Sequence, residues 1–322
     1  MAARSLLLHS RRFRLSLDAR QRIVKFSSTA LCYENKHSLE AARPIQYDYA
    51  TIKESYRIPK YPIVLAHGLF GFDELHLASK YLPGVQYWRG VTDAFTSHGI
   101  EVIKASVPAS ASIQERAAKL AQDIGQKAMG KKVNIIAHSM GGLDARYMVS
   151  NLKPANVEVL SLTTVATPHR GSALADHIFR QIGATRLPTV YKVLKGLSLE
   201  TGAFSQLTRQ YMNDKFNPNT PNIDGIRYFS YGATATPHFW SAFKQSHRIV
   251  EEAEGSNDGL VSVSSSQWGE YRGTLVDVSH LDLINWTNRF RLLAWEMAGN
   301  RRTFNAIAFY LGIAEMLSDE GF

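Results

Sequence analysis

Cysteine is almost missing from this chain. Its 322 residues include one, Cys32, so no internal disulfide can form, which argues against an oxidising, secreted setting. Cys32 also precedes the expected folded body, which removes it as a candidate nucleophile. Long apolar runs are missing too: nothing approaches the ~18 residues of a membrane span. The best late stretch, Ala306–Leu317, is short and contains Glu315, as suits a core-facing C-terminal helix. There is no Cys/His cluster at zinc spacing. There is no H-E-x-x-H, no phosphate loop and no G-x-G-x-x-G after a strand. These gaps set aside most metal, nucleotide and thiol chemistry.

Acids are scarce at the N-terminus. Residues 1–31 carry seven basic residues (Arg4, Arg11, Arg12, Arg14, Arg20, Arg22, Lys25) against Asp18 alone, so they hold +6 of the +9 formal charge. The rest is close to neutral, and the high pI gives no reason to expect a nucleic-acid partner. Leucines and other apolar residues are interspersed with the arginines, and Arg11-Arg12 interrupts any unbroken apolar core. That pattern fits an amphipathic mitochondrial transit peptide over 1–31 better than a secretory signal. A basic tail or a membrane-surface helix is the plainer alternative. Residues 32–57 read as a polar tether, and 58–322 as the folded domain.

Within that domain, strand-like and helix-like segments alternate. Tyr61–Ala66 reads as a buried strand running into the glycine loop His67-Gly68-Leu69-Phe70-Gly71. Trp88–His98 reads as a helix and Ile100–Val107 as a strand. Ser112-x-x-Glu115 is a capping box opening a helix that runs to about Met129. Val133–Ala137, Val157–Ala166, Arg227–Gly232 and Thr274–Val278 read as further strands. This order implies an α/β fold, a mostly parallel sheet with helices on both faces. From Ser172 to Gly225 the rhythm breaks. Apolar residues there suggest short helices, either a cap above the catalytic edge or extra core.

The chemistry centres on Val133–Gly142, VNIIAHSMGG. An apolar run, a serine flanked by small residues and a helix-like stretch have the form of a nucleophile elbow. Ala137 stands where glycine is usual, one methyl more. A helix N-cap serine after a buried strand is the competing reading. A serine hydroxyl needs a base, and the base needs an orienting acid. In the α/β-hydrolase arrangement they follow the serine in the order acid, then histidine. Of eleven histidines, His280 alone follows Asp258, and it sits just past the Thr274–Val278 strand. Asp258 lies in the polar loop Ser256-Asn257-Asp258-Gly259, where it could also serve only as an Asx-turn former. Asp224 and Asp277 are its rivals for the acid. An oxyanion hole could come from the backbone N–H groups of Met140 and Leu69. His67, His138 and His169 are expected to be structural, because one triad uses one base.

Taken together, His67-Gly68-Leu69, Ala137-His138-Ser139-Met140-Gly141-Gly142, Thr167-Pro168-His169-Arg170-Gly171-Ser172, Asn257-Asp258-Gly259-Leu260-Val261 and Ser279-His280-Leu281-Asp282 resemble the secreted bacterial triacylglycerol lipases. With the Arg-rich leader the chain is similar to their fungal mitochondrial relatives. The resemblance spans about Pro59 to Trp286. It implies an α/β-hydrolase fold and ester hydrolysis in acylglycerols at a lipid–water interface or membrane surface. It implies Ser139 as nucleophile, His280 as base, Asp258 as acid and a helical lid within about 172–225. No cofactor is expected. The bacterial relatives carry a structural calcium near the catalytic histidine. Of its protein ligands only Asp282 is matched here; Trp286 replaces a glutamine and Thr236–His238 offers no acid. Calcium takes about six to eight oxygens, so no metal is expected. A phospholipase or acyltransferase with the same triad is the first alternative, and a non-catalytic lipid-binding scaffold the second.

Overall fold

A computed structural model describes residues 43–69, 87–109, 111–184, 201–237, 243–286 and 303–322. The expected transit peptide, Cys32, the first part of the tether, Phe70-Gly71 and the centre of the 172–225 insertion lie outside the described residues.

Seven strands form one sheet: β1 (Pro44–Ile45), β2 (Ile63–Ala66), β3 (Val102–Lys104), β4 (Lys132–His138), β5 (Glu158–Val165), β6 (Arg227–Thr234) and β7 (Glu270–Val276). Their order is β1-β7-β6-β5-β4-β2-β3, and every neighbouring pair is parallel. A parallel sheet must be covered on both faces, so its central strands are apolar on both sides. In β2, Ile63 and Leu65 face one core while Val64 and Ala66 face the other. The first core is covered by α1 (Val91–Ser97) and α9 (Ala306–Asp319), the second by α2 (Ile113–Ala128) and α3 (Gly141–Tyr147). The mostly parallel α/β architecture expected from the alternation is the one observed, and it is consistent with the α/β-hydrolase fold that the resemblance implies.

Local sequence explains most boundaries. The α2 capping box forms on both arms: Ser112 Oγ accepts from the Glu115 N–H, and the Glu115 carboxylate accepts from the Ser112 N–H. At its other end Met129 takes the left-handed cap at φ 49° before Gly130. Helix α3 is shorter than the sequence suggests, and Met148–Leu152 winds on as a π-helix. The late strand begins earlier, at Glu270, because its pairing with β6 starts at Phe229↔Glu270.

The tether reading needs correction from Arg43 onward. Residues 43–322 form one compact unit, and β1 pairs with β7 at Pro44↔Thr274 and Ile45↔Leu275. Tyr49 packs edge-on against Phe309 at 5.1 Å. A Cβ at Gly312 of α9 would lie 2.4 Å from the Tyr49 ring, so α9 is shaped to receive this arm. Lys53 and Arg57 pair with Glu315 and Asp319 of the same helix. A two-residue strand among polar residues leaves too little alternation to be read in advance. A chain that starts at Pro59 should melt about 5 °C or more below one that starts at Arg43, since losing a few kcal/mol shifts a domain of this size by that much. Thermal unfolding of the two proteins checks this.

Candidate active site

The strand β4 ends at His138 and α3 begins at Gly141, with Ser139 at the tip. Ser139 has φ 56°, a left-handed backbone that a non-glycine residue adopts only when its surroundings impose it. Here they do. The Ser139 N–H donates to Val165 O at 2.9 Å, and the Ser139 carbonyl accepts from Gly142 N–H and from Thr167 Oγ1 at 2.7 Å. The turn has no spare volume. A Cβ on Gly141 would meet the backbone oxygens of Ala66 and His67 at 2.7 Å, and one on Gly142 would meet Thr167 Oγ1 at 2.3 Å. Ala137, the departure from the usual glycine, is fully buried in β4. An ordinary N-cap serine would need none of this.

Asp258 and His280 come from loops after β6 and β7. The Asp258 carboxylate is divided between two tasks. Oδ1 accepts from the N–H groups of Leu260 and Val261, which fixes the side chain. Oδ2 accepts from His280 Nδ1 at 2.6 Å. A backbone bond from His280 N–H to Asp258 O at 3.0 Å ties the loops together a second time. With Nδ1–H committed to Asp258, the lone pair of His280 sits on Nε2, the tautomer a base requires. Asp258 is thus both the Asx-turn former and the histidine's partner. Its rivals Asp224 and Asp277 are exposed.

Ser139 and His280 border one cavity of about 340 Å³, together with Leu69, Leu174, Ile178, Phe204 and Trp286. Its walls are overwhelmingly apolar, so an alkyl chain could enter without stranding polar groups. The 172–225 insertion divides its roles. Helices α4 (Ala173–Ala184) and α5 (Thr201–Gln206) supply Leu174, Ala175, Ile178 and Phe204 to the cavity wall. Farther on, Met212 and Phe216 pack with Ile113, Met140 and Leu143 as true core. Different parts of the insertion thus serve the cavity wall and the core.

Leu69 and Met140 also border the site: Leu69 lines the cavity, and Met140 is buried just beside Ser139. The three histidines expected to be structural, His67, His138 and His169, are buried within the fold. His67 Nδ1–H donates to Gly68 O and its Nε2 accepts from Val107 N–H. His169 stacks on Trp268 and bonds Thr164 Oγ1, and burial holds its pKa well below the ordinary value. His138 lies 4.5 Å from the His280 ring, centroid to centroid. Burial first, then the neighbouring His280, holds the His138 pKa well below the ordinary value.

The sequence reading missed a buried ion pair under the glycine loop. Arg116 and Asp144 pair at 2.8 Å, both essentially inaccessible. Arg116 Nη2 also donates to His67 O at 2.9 Å and to Gly68 O at 3.2 Å. Burial pushes the Asp144 carboxyl up to about 6, against the pull of Arg116. No short motif announces this pair, because its members lie 28 residues apart on two helices that only the fold brings together.

Asp282, the one matched calcium ligand, bonds within its own turn. Its Oδ2 accepts from Ser279 N–H at 3.1 Å and from Ser279 Oγ at 2.7 Å. Trp286 lines the cavity. The loop between them is held by other means: Leu283 and Ile284 are buried, and Asn285 Nδ2 donates to Arg89 O at 2.9 Å. No group of three or more His, Cys, Asp or Glu side chains arranged for a metal occurs among the described residues. Exhaustive chelation should leave the hydrolytic rate and the melting temperature unchanged, and added calcium should not raise either. A large loss restored by calcium would overturn this.

Residues 63–266 match the family described as "Putative serine esterase (DUF676)". The chain is 38% identical to "Triacylglycerol lipase 2" of Saccharomyces cerevisiae, over 87% of this chain and 98% of that protein. It is 29% identical to a "Triacylglycerol lipase" of Vibrio cholerae, over 74% of this chain and 83% of that one. Among solved structures, the Staphylococcus hyicus lipase superposes with a TM-score of 0.58 at 19% identity, covering 84% of this chain and 99% of its own. At that identity the likeness speaks for the fold.

Proposed function

The chain belongs to the serine esterase family DUF676, and from that premise we propose that it hydrolyses triacylglycerols in mitochondria, with Ser139 as nucleophile, His280 as base and Asp258 as the acid that orients it. It is a carboxylic ester hydrolase, a serine lipase. One observation carries the residue assignment: His280, paired to the buried Asp258, borders the same apolar cavity as Ser139 in its left-handed turn.

The steps follow from that arrangement. Ser139 Oγ attacks the ester carbonyl as His280 Nε2 takes its proton. The carbonyl oxygen becomes an oxyanion, received by the N–H groups of Met140 and Leu69, each worth about 3–4 kcal/mol of barrier. Protonated His280, stabilised by Asp258, returns the proton to the departing alcohol. Water then repeats the sequence on the acyl-enzyme, so no cofactor is consumed.

Acylglycerol as substrate is supported by the apolar cavity and by the yeast and bacterial relatives. Action at a lipid–water interface is supported by Phe179, 52% exposed, next in α4 to the cavity-lining Ile178. Ser139→Ala should lower hydrolysis of emulsified triacylglycerol about 10⁴-fold or more and abolish fluorophosphonate labelling. Asp258→Asn should cost about 10⁴-fold in kcat. Activity retained in Ser139→Ala would remove this serine from the mechanism. Product analysis with phospholipid and an alcohol acceptor tests the two enzymatic alternatives.

The mitochondrial assignment rests on the Arg-rich, acid-poor residues 1–31. A fluorescent reporter carrying residues 1–42 should enter mitochondria, and the same reporter with Arg11, Arg12 and Arg14 changed to glutamate should not. A diffuse signal from the unaltered fusion would sink the assignment.

A further inference from the structure

The peptide between Gly68 and Leu69 is gripped from one side. Arg116 Nη2 and His67 Nδ1 both donate to the Gly68 carbonyl, at 3.2 and 3.0 Å. A trans peptide sets its C=O and N–H on opposite sides, so this grip turns the Leu69 N–H away from Arg116. The preceding N–H is gripped as well: Gly68 N–H donates to the Tyr87 hydroxyl at 3.0 Å. The loop lies hard against the nucleophile. A Cβ on Gly68 would stand 2.8 Å from Ser139 Cβ and 2.9 Å from the Tyr87 hydroxyl.

Tyr87 reaches a second element of the site. Its hydroxyl is 2.6 Å from His138 Nδ1. The phenol oxygen already accepts from Gly68, and a buried O–H left unpaired is costly, so its one proton goes to His138 Nδ1. That bond occupies the lone pair through which His138 could become charged. Neutrality there matters because the His138 and His280 rings are 4.5 Å apart. A cation at His138 would repel the imidazolium that forms on His280 during turnover.

We propose that Tyr87 is a positioning residue for ester hydrolysis: one hydroxyl, itself oriented by its bond to His138, anchors Gly68 so that the next N–H, of Leu69, stays aimed at the oxyanion. This rests on the proposed roles of Leu69 and His280. Tyr87 lies at the end of a stretch with no motif, and nothing in its local sequence marks it.

The test compares full-length wild type and Tyr87→Phe on a soluble short-chain ester and on an alkyl boronic acid, whose serine adduct carries a charged oxygen. Tyr87→Phe should keep KM within about threefold and lose about 10- to 100-fold in kcat, the range for a weakened oxyanion donor. Boronate inhibition should weaken by a similar factor, which a merely structural role would not produce in a protein still folded at the assay temperature. His138→Leu removes the acceptor that orients the same hydroxyl, which loosens its hold on Gly68, so its kcat loss should not add to that of Tyr87→Phe in the double variant. If Tyr87→Phe does not fold, His138→Leu alone should give the kcat and boronate losses. Wild-type kcat in a folded Tyr87→Phe, additive losses, or a kcat loss with undiminished boronate binding would overturn the proposal. A wild type without ester hydrolysis would instead overturn the proposed function.

Discussion

The site depends on one crowded crossing, where the turn at Ser139 meets the end of β2. Ser139 is held at φ 56°, a conformation that costs a non-glycine residue on the order of 1–3 kcal/mol. At this crossing a single methyl on Gly68, Gly141 or Gly142 would collide with neighbouring atoms at 2.3–2.8 Å. Because those methyls are missing, α3 starts directly against the His67 backbone, and the loop that leads to Leu69 lies directly against the turn at Ser139. The parallel sheet makes this possible by ending β2 and β4 side by side, with Ala66 paired to Ala137.

Around that crossing the fold spends buried polar groups on holding backbone in place. Arg116 joins Asp144 of α3 to the carbonyls of His67 and Gly68. Tyr87 joins Gly68 to His138. Asp258 gives one oxygen to its own loop and one to His280. Such groups are costly to bury unless their hydrogen bonds are made, and here the bonds made are to the loops that must not move. The cavity beside them is apolar, so a bound acyl chain adds no competing hydrogen bonds.

Local chemistry made much of this legible. The α2 capping box needs only Ser112 and Glu115 three residues apart, and it formed as read. The elbow needs an apolar strand, a serine and small neighbours, all contiguous in Val133–Gly142. Asp258 and His280 could be paired because strand order limits which loops reach the same edge. The arm at 43–57 was not legible, since its two-residue strand and Tyr49 acquire meaning only against β7 and the notch at Gly312. Likewise the insertion read as one unit, yet Ile178 walls the cavity while Met212 and Phe216 fill core. Apolar periodicity records that a face is buried and not what buries it.

The sequence by itself determined the alternation of strands and helices, the turn that carries Ser139 and the loops that carry Asp258 and His280. Each is written in residues close together along the chain, where backbone preference and hydrophobic period act directly. Only the tertiary structure decided that Asp258 faces His280 while Asp224 and Asp277 face solvent, that Arg116 and Tyr87 grip Gly68, and that Asp282 serves its own turn. Those outcomes depend on distances between elements far apart in sequence, which are set by packing across the sheet and not by any local preference.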